Sequence, residues 1–247
     1  MEIWHIPVVF TVGIIAGFIN TIAGGGSLLT LPILIFLGLP TAVANGTNRL
    51  AIMTQCLFAV IGFKRKGVSN FKLSLLLSVP ALIGAIIGAQ IAVDLSDILF
   101  KRVLAIIMLL VLGLILWNPR QNVGRLMSSG LNHFIITMIA FFFIGIYGGF
   151  IQVGVGFIII AALTTIKGLN LVETNSHKVF ITGIYTVFAL IVFAFNGKIC
   201  WTIGLCLAAG MGLGGWIGSH WAVARGEQWI RLALTICVIA MVIKLFV

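Results

Sequence analysis

Two polar interruptions in an otherwise apolar chain hold the side chains with the means to bind something. The first is Asn20, Thr21, Gly24, Gly25, Gly26 and Ser27, followed by Asn45, Thr47 and Arg49; the second is Gln152, Gly154 and Gly156, followed by Asn175, His177 and Lys178. A glycine triplet is a poor helix interior, because each glycine costs about 1 kcal/mol relative to alanine. The apolar run 7–37 is therefore expected to be two helical pieces with an unwound joint between them. Ser27 is placed to cap the second piece, and Asn45, with Thr47 close behind, to cap the helix that runs through Arg49; Asn175 has the same part in the second interruption. Helix N-termini offer unpaired N–H groups and the positive end of the dipole, which suits an anion. Four of them, converging, would hold a small anion without a dedicated basic cage.

Each of these residues also has a plainer reading. The glycines allow close helix packing, and the Ser and Asn side chains are ordinary caps. Arg49 presents a planar fork that matches a sulfonate-like group, yet an arginine there serves equally as an interfacial anchor. His177 is a satisfied loop residue or a proton handler. Glu173 sits where a helix N-terminus welcomes a carboxylate. An amide such as Gln152 at membrane depth is expensive unless it lines a cavity. Catalysis has less to work with: the five acids, Glu2, Asp94, Asp97, Glu173 and Glu227, form no pair on facing segments, and no GxSxG, HExxH or GxxxxGK[ST] occurs. The cysteines, Cys56, Cys200, Cys206 and Cys237, sit in apolar runs without a CxxC pair and read as small core residues. No enzyme activity, metal or cofactor is expected.

The elements that position these residues follow from composition. Hydrophobic residues make up 61% of the 247, charged residues 8%, and mean hydropathy is +1.25, which marks a polytopic membrane protein. A net charge of +10 spread sparsely between apolar runs sets a topology rather than a nucleic-acid surface. The first 48 residues carry no Lys or Arg, so the first apolar segment is expected to stay in the mature protein. Apolar runs near 7–37, 49–63, 73–93, 103–117, 133–166, 179–195, 200–222 and 232–246 give eight segments, or about ten helices if the two broken ones count twice. Trp4, Trp117, Trp201, Trp221 and Trp229 fall near segment ends, as belt residues do.

The fold class is all-α, in two homologous transmembrane repeats, 1–117 and 133–247, joined by the polar stretch 118–132. A shift of 130 residues superposes Gly24 on Gly154, Gly26 on Gly156, Asn45 on Asn175, Gly84 on Gly214 and Gly88 on Gly218. Gly13 and Gly17 superpose on Gly145 and Gly149 only if the second joint is two residues shorter. Duplicated broken segments point to a secondary transporter with its substrate at the repeat interface. If each broken segment folds back to its starting side, the halves are inverted and the basic residues divide ten against five; if each spans once, they divide eight against seven. The positive-inside rule favours inverted halves. The Gly84/Gly88 and Gly210/Gly214/Gly218 series read as close-packing helix faces.

GFINTIAGGGSLLTLPILIFLGLPTAVANGTNRLA and its weaker echo GGFIQVGVGFIIIAALTTIKGLNLVETNSHKVF resemble the duplicated signature of the TauE/SafE sulfite exporter family, over essentially the whole chain. The second copy departs from it at Val155, Phe157, Ala162 and Ser176-His177. The resemblance implies a multi-pass protein of the bacterial cytoplasmic membrane that exports sulfite or a related organosulfur anion. Ion-coupled uptake of such an anion is the alternative. A small anion and the lipid bilayer are the expected partners, nucleic acid is not, and a homodimer is left open.

Overall fold

Both long apolar runs break at their glycines. The structure, a computed structural model, describes residues 5–68, 71–117 and 131–246. Among these the chain forms α1 His5–Ile22, α2 Ser27–Phe36, α3 Thr41–Arg65, α4 Phe71–Val93, α5 Asp97–Trp117, α6 Leu131–Phe150, α7 Val155–Lys167, α8 Leu171–Phe195 and α9 Trp201–Phe246. Most of the linker 118–132, together with Trp4, lies outside the described residues. The joints are 23–26 and 151–154, four residues each, so the second is not the shorter one; the second half instead carries the longer return helix, 13 residues in α7 against 10 in α2.

Helix directions follow from where neighbouring glycines pack. Gly13 lies against Gly210, Gly17 against Met211 and Gly218 against Thr21, so α1 and α9 run parallel. Gly46 lies against Lys198 and Gly62 against Ser219, so α3 runs the same way. With α1 and α3 parallel, α2 between them must turn back. Thr30 on α2 accordingly bonds Asn48 early in α3, whereas Asn20 near the end of α1 bonds Gln55, two turns further along. In the other half Gly84 meets Phe142 and Gly88 meets Phe150, while Ser176 early in α8 meets Val68 just before α4 and Ala89 late in α4 packs with Ala189 and Phe193, so α4, α6 and α8 run together and α7 turns back. Arg49 lies over Phe193 and Cys56 beside Gly183, which makes α3 and α8 antiparallel.

Small residues make this interleaving possible. At 84, 88, 145, 149, 210 and 214 a Cβ would run into the backbone of the facing helix, the close approach that helix pairs use in lipid, where burial of apolar surface supplies no drive. The outward faces are apolar instead: Leu75, Val79, Ile83 and Ile86 on α4 and Ile135, Ile139 and Phe143 on α6 are exposed, a surface suited to acyl chains rather than water. Phe71–Val93, Leu171–Phe195 and Trp201–Arg225 are each long and apolar enough to cross a membrane.

Two boundaries differ from the sequence reading. Helices α3 and α8 begin at Thr41 and Leu171, eight residues before the apolar runs at 49 and 179, so the polar stretches there are helical. Residues 223–231, read as a loop between two spans, continue α9 as one helix of 46 residues. That stretch contains Gly226 but no proline, and Ala, Arg, Glu and Gln favour helix. The count among the described residues is therefore nine helices rather than ten.

Candidate functional site

A helix that stops at membrane depth leaves its last carbonyls without partners, and water is not at hand to satisfy them. The C-terminal end of α1 is met by α8: Lys178 Nζ donates to Asn20 O (2.9 Å) and Thr21 O (2.8 Å), and Asn175 Nδ2 donates to Ile22 O (3.0 Å). The C-terminal end of α6 is met by α3: Arg49 donates to Gly148 O (2.8 Å) and Gly149 O (2.5 Å), and Asn45 Nδ2 donates to Phe150 O (2.7 Å). Each half thus closes the broken helix of the other with one cation and one asparagine amide. The charge is placed at the negative end of the dipole, where it is favourable. Both cations are buried, Arg49 at 0% and Lys178 at 2% exposure.

These contacts reassign four residues. Asn45 and Asn175 sit a turn inside their helices and cap neither. The N-cap of α3 is Pro40, and that of α8 is Asn170, whose side chain accepts from Glu173 N at 2.9 Å; Glu173 does lie in the first turn. Arg49 is buried rather than at the interface, and four of its five N–H groups are taken, by the two α6 carbonyls, by Gln152 Oε1 (2.7 Å) and by Asn45 Oδ1 (3.4 Å), while Nε has no partner. Ser27 is the first residue of α2 rather than its cap. Gly26 holds the cap position, and its N–H donates to Asn20 Oδ1 at 3.3 Å.

The joints cross at glycine. A Cβ on Gly24, whose φ is +88°, would stand 2.5 Å from the Gly156 Cα. Counted from the end of the preceding helix, the corresponding position of the second joint is Gln152 rather than the Gly154 of the 130-residue shift; it is the one non-glycine residue with positive φ (60°) among those described. Such a backbone costs of order 1 kcal/mol or more and persists only where surroundings fix it; here Arg49 holds Oε1 and Nε2 donates to Thr186 Oγ1 at 3.1 Å.

Between the crossing joints lies a cavity lined by Asn20, Gly24, Ser27, Cys56, Gln152, Val155, Gly156, Lys178 and Thr182. The space open to the centre of a water molecule is about 10 Å³, room for roughly one water. The N-termini of α2 and α7 border it. Their first backbone donors are Leu28 and Phe157, so the Ser27, Val155 and Gly156 amides precede the hydrogen-bonded turns, as the first N–H groups of a helix do.

Six of the residues singled out in the sequence meet here: Asn20, Gly24, Ser27, Gln152, Gly156 and Lys178. The rest lie elsewhere. Thr21 accepts from Gln55 Nε2 at 2.7 Å, and Thr47 from Cys200 N at 2.9 Å where α9 begins. Gly26 is wedged on α1, 2.6 Å from Asn20 Cβ for an added Cβ; Gly25 does not line the cavity, and Gly154 is the left-handed N-cap of α7. His177 Nδ1 pairs with the Ser74 hydroxyl at 2.7 Å. Two helix N-termini converge, not four: Thr41 N (3.0 Å) and Oγ1 (2.5 Å) give the α3 terminus to Asp97, and Asn170 occupies that of α8. Cys56, Val155 and Thr182 are the lining residues that sequence reasoning missed. Thr182 was within reach, one helical turn after Lys178 on the same face; Cys56 looks like any small core residue.

The profile of the family described as Sulfite exporter TauE/SafE matches residues 9–245. The chain belongs to the TauE/SafE family. Among its relatives are a probable membrane transporter protein of a Sinorhizobium species, 30% identical over 96% of this chain and 90% of the relative, and one of Haemophilus influenzae, 29% identical over 97% and 94%. A third, the probable membrane transporter protein YfcA of Escherichia coli strain K12, is 29% identical over 96% and 88%. No solved structure matches. Family membership and the apolar helices together make this a multi-pass membrane protein of a transporter family, with crossing joints where a cargo site is sought.

Proposed function

We propose that the chain is a secondary transporter that exports sulfite or a related small organosulfur anion across the bacterial cytoplasmic membrane, built as two inverted repeats with the anion held where their joints cross. The observation that carries this reading is the cavity itself. It lies between two half-helix N-termini, takes one ammonium group, and has no carboxylate among its lining residues. Helix directions support the inverted arrangement: α1 turns back and α3 runs one way, while α6 turns back and α8 runs the other. Folded-back segments are also the case in which the basic residues divide ten against five. Setting aside the two buried cations, and Arg225, Arg231 and Lys244 in the stretch through which α9 runs unbroken, leaves seven against three, the same bias that holds loops in the cytoplasm.

The test is flux of sulfite, thiosulfate, methanesulfonate and acetate into proteoliposomes containing the purified chain. Sulfite or methanesulfonate should move several-fold faster than acetate. Flux of none of the four above that of empty liposomes would overturn the reading.

A further inference from the structure

The two buried cations look alike as helix caps and differ in one respect. Arg49 does not line the cavity; Lys178 does, and it is the one charged residue that does. Its ammonium has three N–H donors, and all three are taken, by Asn20 O (2.9 Å), Thr21 O (2.8 Å) and Asn175 Oδ1 (2.6 Å). An anion in the cavity can reach that charge only by displacing one of these acceptors. Two of the three are carbonyls of the last turn of α1; Asn20 O also accepts from Gly24 N at 2.9 Å, so the hold that matters most to that turn is the one on Thr21 O.

We infer that Lys178 is the anion-selecting residue of the site and that, in taking the anion, it releases the C-terminal end of α1, so that binding and loosening of the first hairpin are one event. The inference rests on the transport reading above. Lysine suits the exchange because its ammonium is compact and can redirect its donors, whereas the planar fork of Arg49 holds the end of α6 in a fixed geometry. Selectivity follows from charge. Lys178 supplies one full positive charge and the two helix N-termini about half a charge each, less what the negative end of α1 takes back, so a monoanion is balanced in full; a dianion is not, and its cost of leaving water, which rises with the square of the charge, is far larger in a site closed to water. The ligand class is therefore a small monoanion, such as hydrogen sulfite or a short alkylsulfonate, in preference to a dianion such as sulfate. Because the present cavity has room for about one water, such a ligand must also open the site, and the end of α1 is the part whose hold it breaks.

The experiment uses the full chain in nanodiscs, with methanesulfonate and sulfate as probes, and reads affinity together with hydrogen exchange over 20–26 and 148–154. Wild type should bind methanesulfonate at least tenfold more tightly than sulfate, and methanesulfonate should speed exchange in 20–26 but not in 148–154. Lys178→Gln should lose both the affinity and the preference. If its buried amide prevents folding, Lys178→Arg keeps a charge on the α1 carbonyls; it should bind at least tenfold more weakly, and exchange in 20–26 should stop responding. A folded Lys178→Gln with wild-type affinity and preference, a Lys178→Arg whose affinity and exchange response match wild type, or wild type that binds sulfate as tightly, would overturn the assignment while leaving transport standing. Wild type that binds neither probe overturns the transport reading and this one with it.

Discussion

Arg49 shows how a residue chosen for one chemistry can be used for another. The planar fork that suits a sulfonate suits a pair of helix-end carbonyls equally well, and it is those that Arg49 grips. Charged hydrogen bonds are worth about 1.5–3 kcal/mol each, so Arg49→Gln should lower stability by about 3 kcal/mol, read as a marked fall in the thermal unfolding midpoint in detergent. Arg49→Lys, which keeps the charge but lacks the fork, should fall between. An unchanged midpoint in Arg49→Gln would show that the end of α6 needs no cap. At Gly156 the argument is one of space: its added Cβ meets the backbone of Gly24, which cannot swing aside like a flexible side chain. Gly156→Ala should abolish transport in folded protein, whereas Cys206→Ala, at a half-buried thiol near the start of α9 beside Ile6, should leave it within twofold. Equal loss in both would remove any special role for the crossing point. The sequence announced these glycines by their clustering, and it announced Asn20, Gln152 and Lys178 by the cost of polar groups among apolar neighbours. It carried no sign of Cys56.

At the scale of the element, the breaks were legible and the helix starts were not. Glycine weakens a helix wherever it occurs, so the joints at 23–26 and 151–154 fell where local chemistry placed them. The beginnings of α3 and α8 depend on something remote. Asn45 with Arg49 and Asn175 with Lys178 look like cap and loop residues when read locally, because nothing nearby in the chain reveals the open carbonyls of Phe150 or Ile22 more than 100 residues away. The true cap of α8 is testable on its own terms. Asn170→Ala removes the acceptor for Glu173 N and should cost about 1 kcal/mol, a small downward shift in the unfolding midpoint, while Asn175→Ala should cost more because it uncovers both Ile22 O and one bond of Lys178. The reverse order would return the capping role to Asn175.

For the whole molecule, folded-back joints fix which ends share a side of the membrane. Single cysteines introduced at Lys66 and Gly168, in a background without native cysteines, should be protected from an impermeant thiol reagent in intact cells, and those at Asp94 and Asn196 should be labelled; labelling at Gly168 with protection at Lys66 would rule out inverted halves. Direction of transport follows from charge set against the membrane potential. A monovalent anion leaving a cell that is negative inside moves down the electrical gradient, gaining about 2.3 kcal/mol per 100 mV. Export on those terms needs neither a coupled ion nor an acidic relay. The site fits that reading, since its lining residues include no carboxylate, and the two groups best suited to proton handling lie outside that lining: His177 is paired with Ser74, and Glu173 is exposed in the first turn of α8. Uptake of the same anion would run against the potential, and those two residues would then be the first to examine. Proteoliposomes with a potassium-set potential separate the cases. Methanesulfonate efflux should rise about tenfold for each 60 mV while the field drives the rate-limiting step, with no requirement for a proton or sodium gradient. Flux that ignores the potential and appears only when an ion gradient is imposed would make the protein a symporter, with its coupling site outside the cavity between the joints.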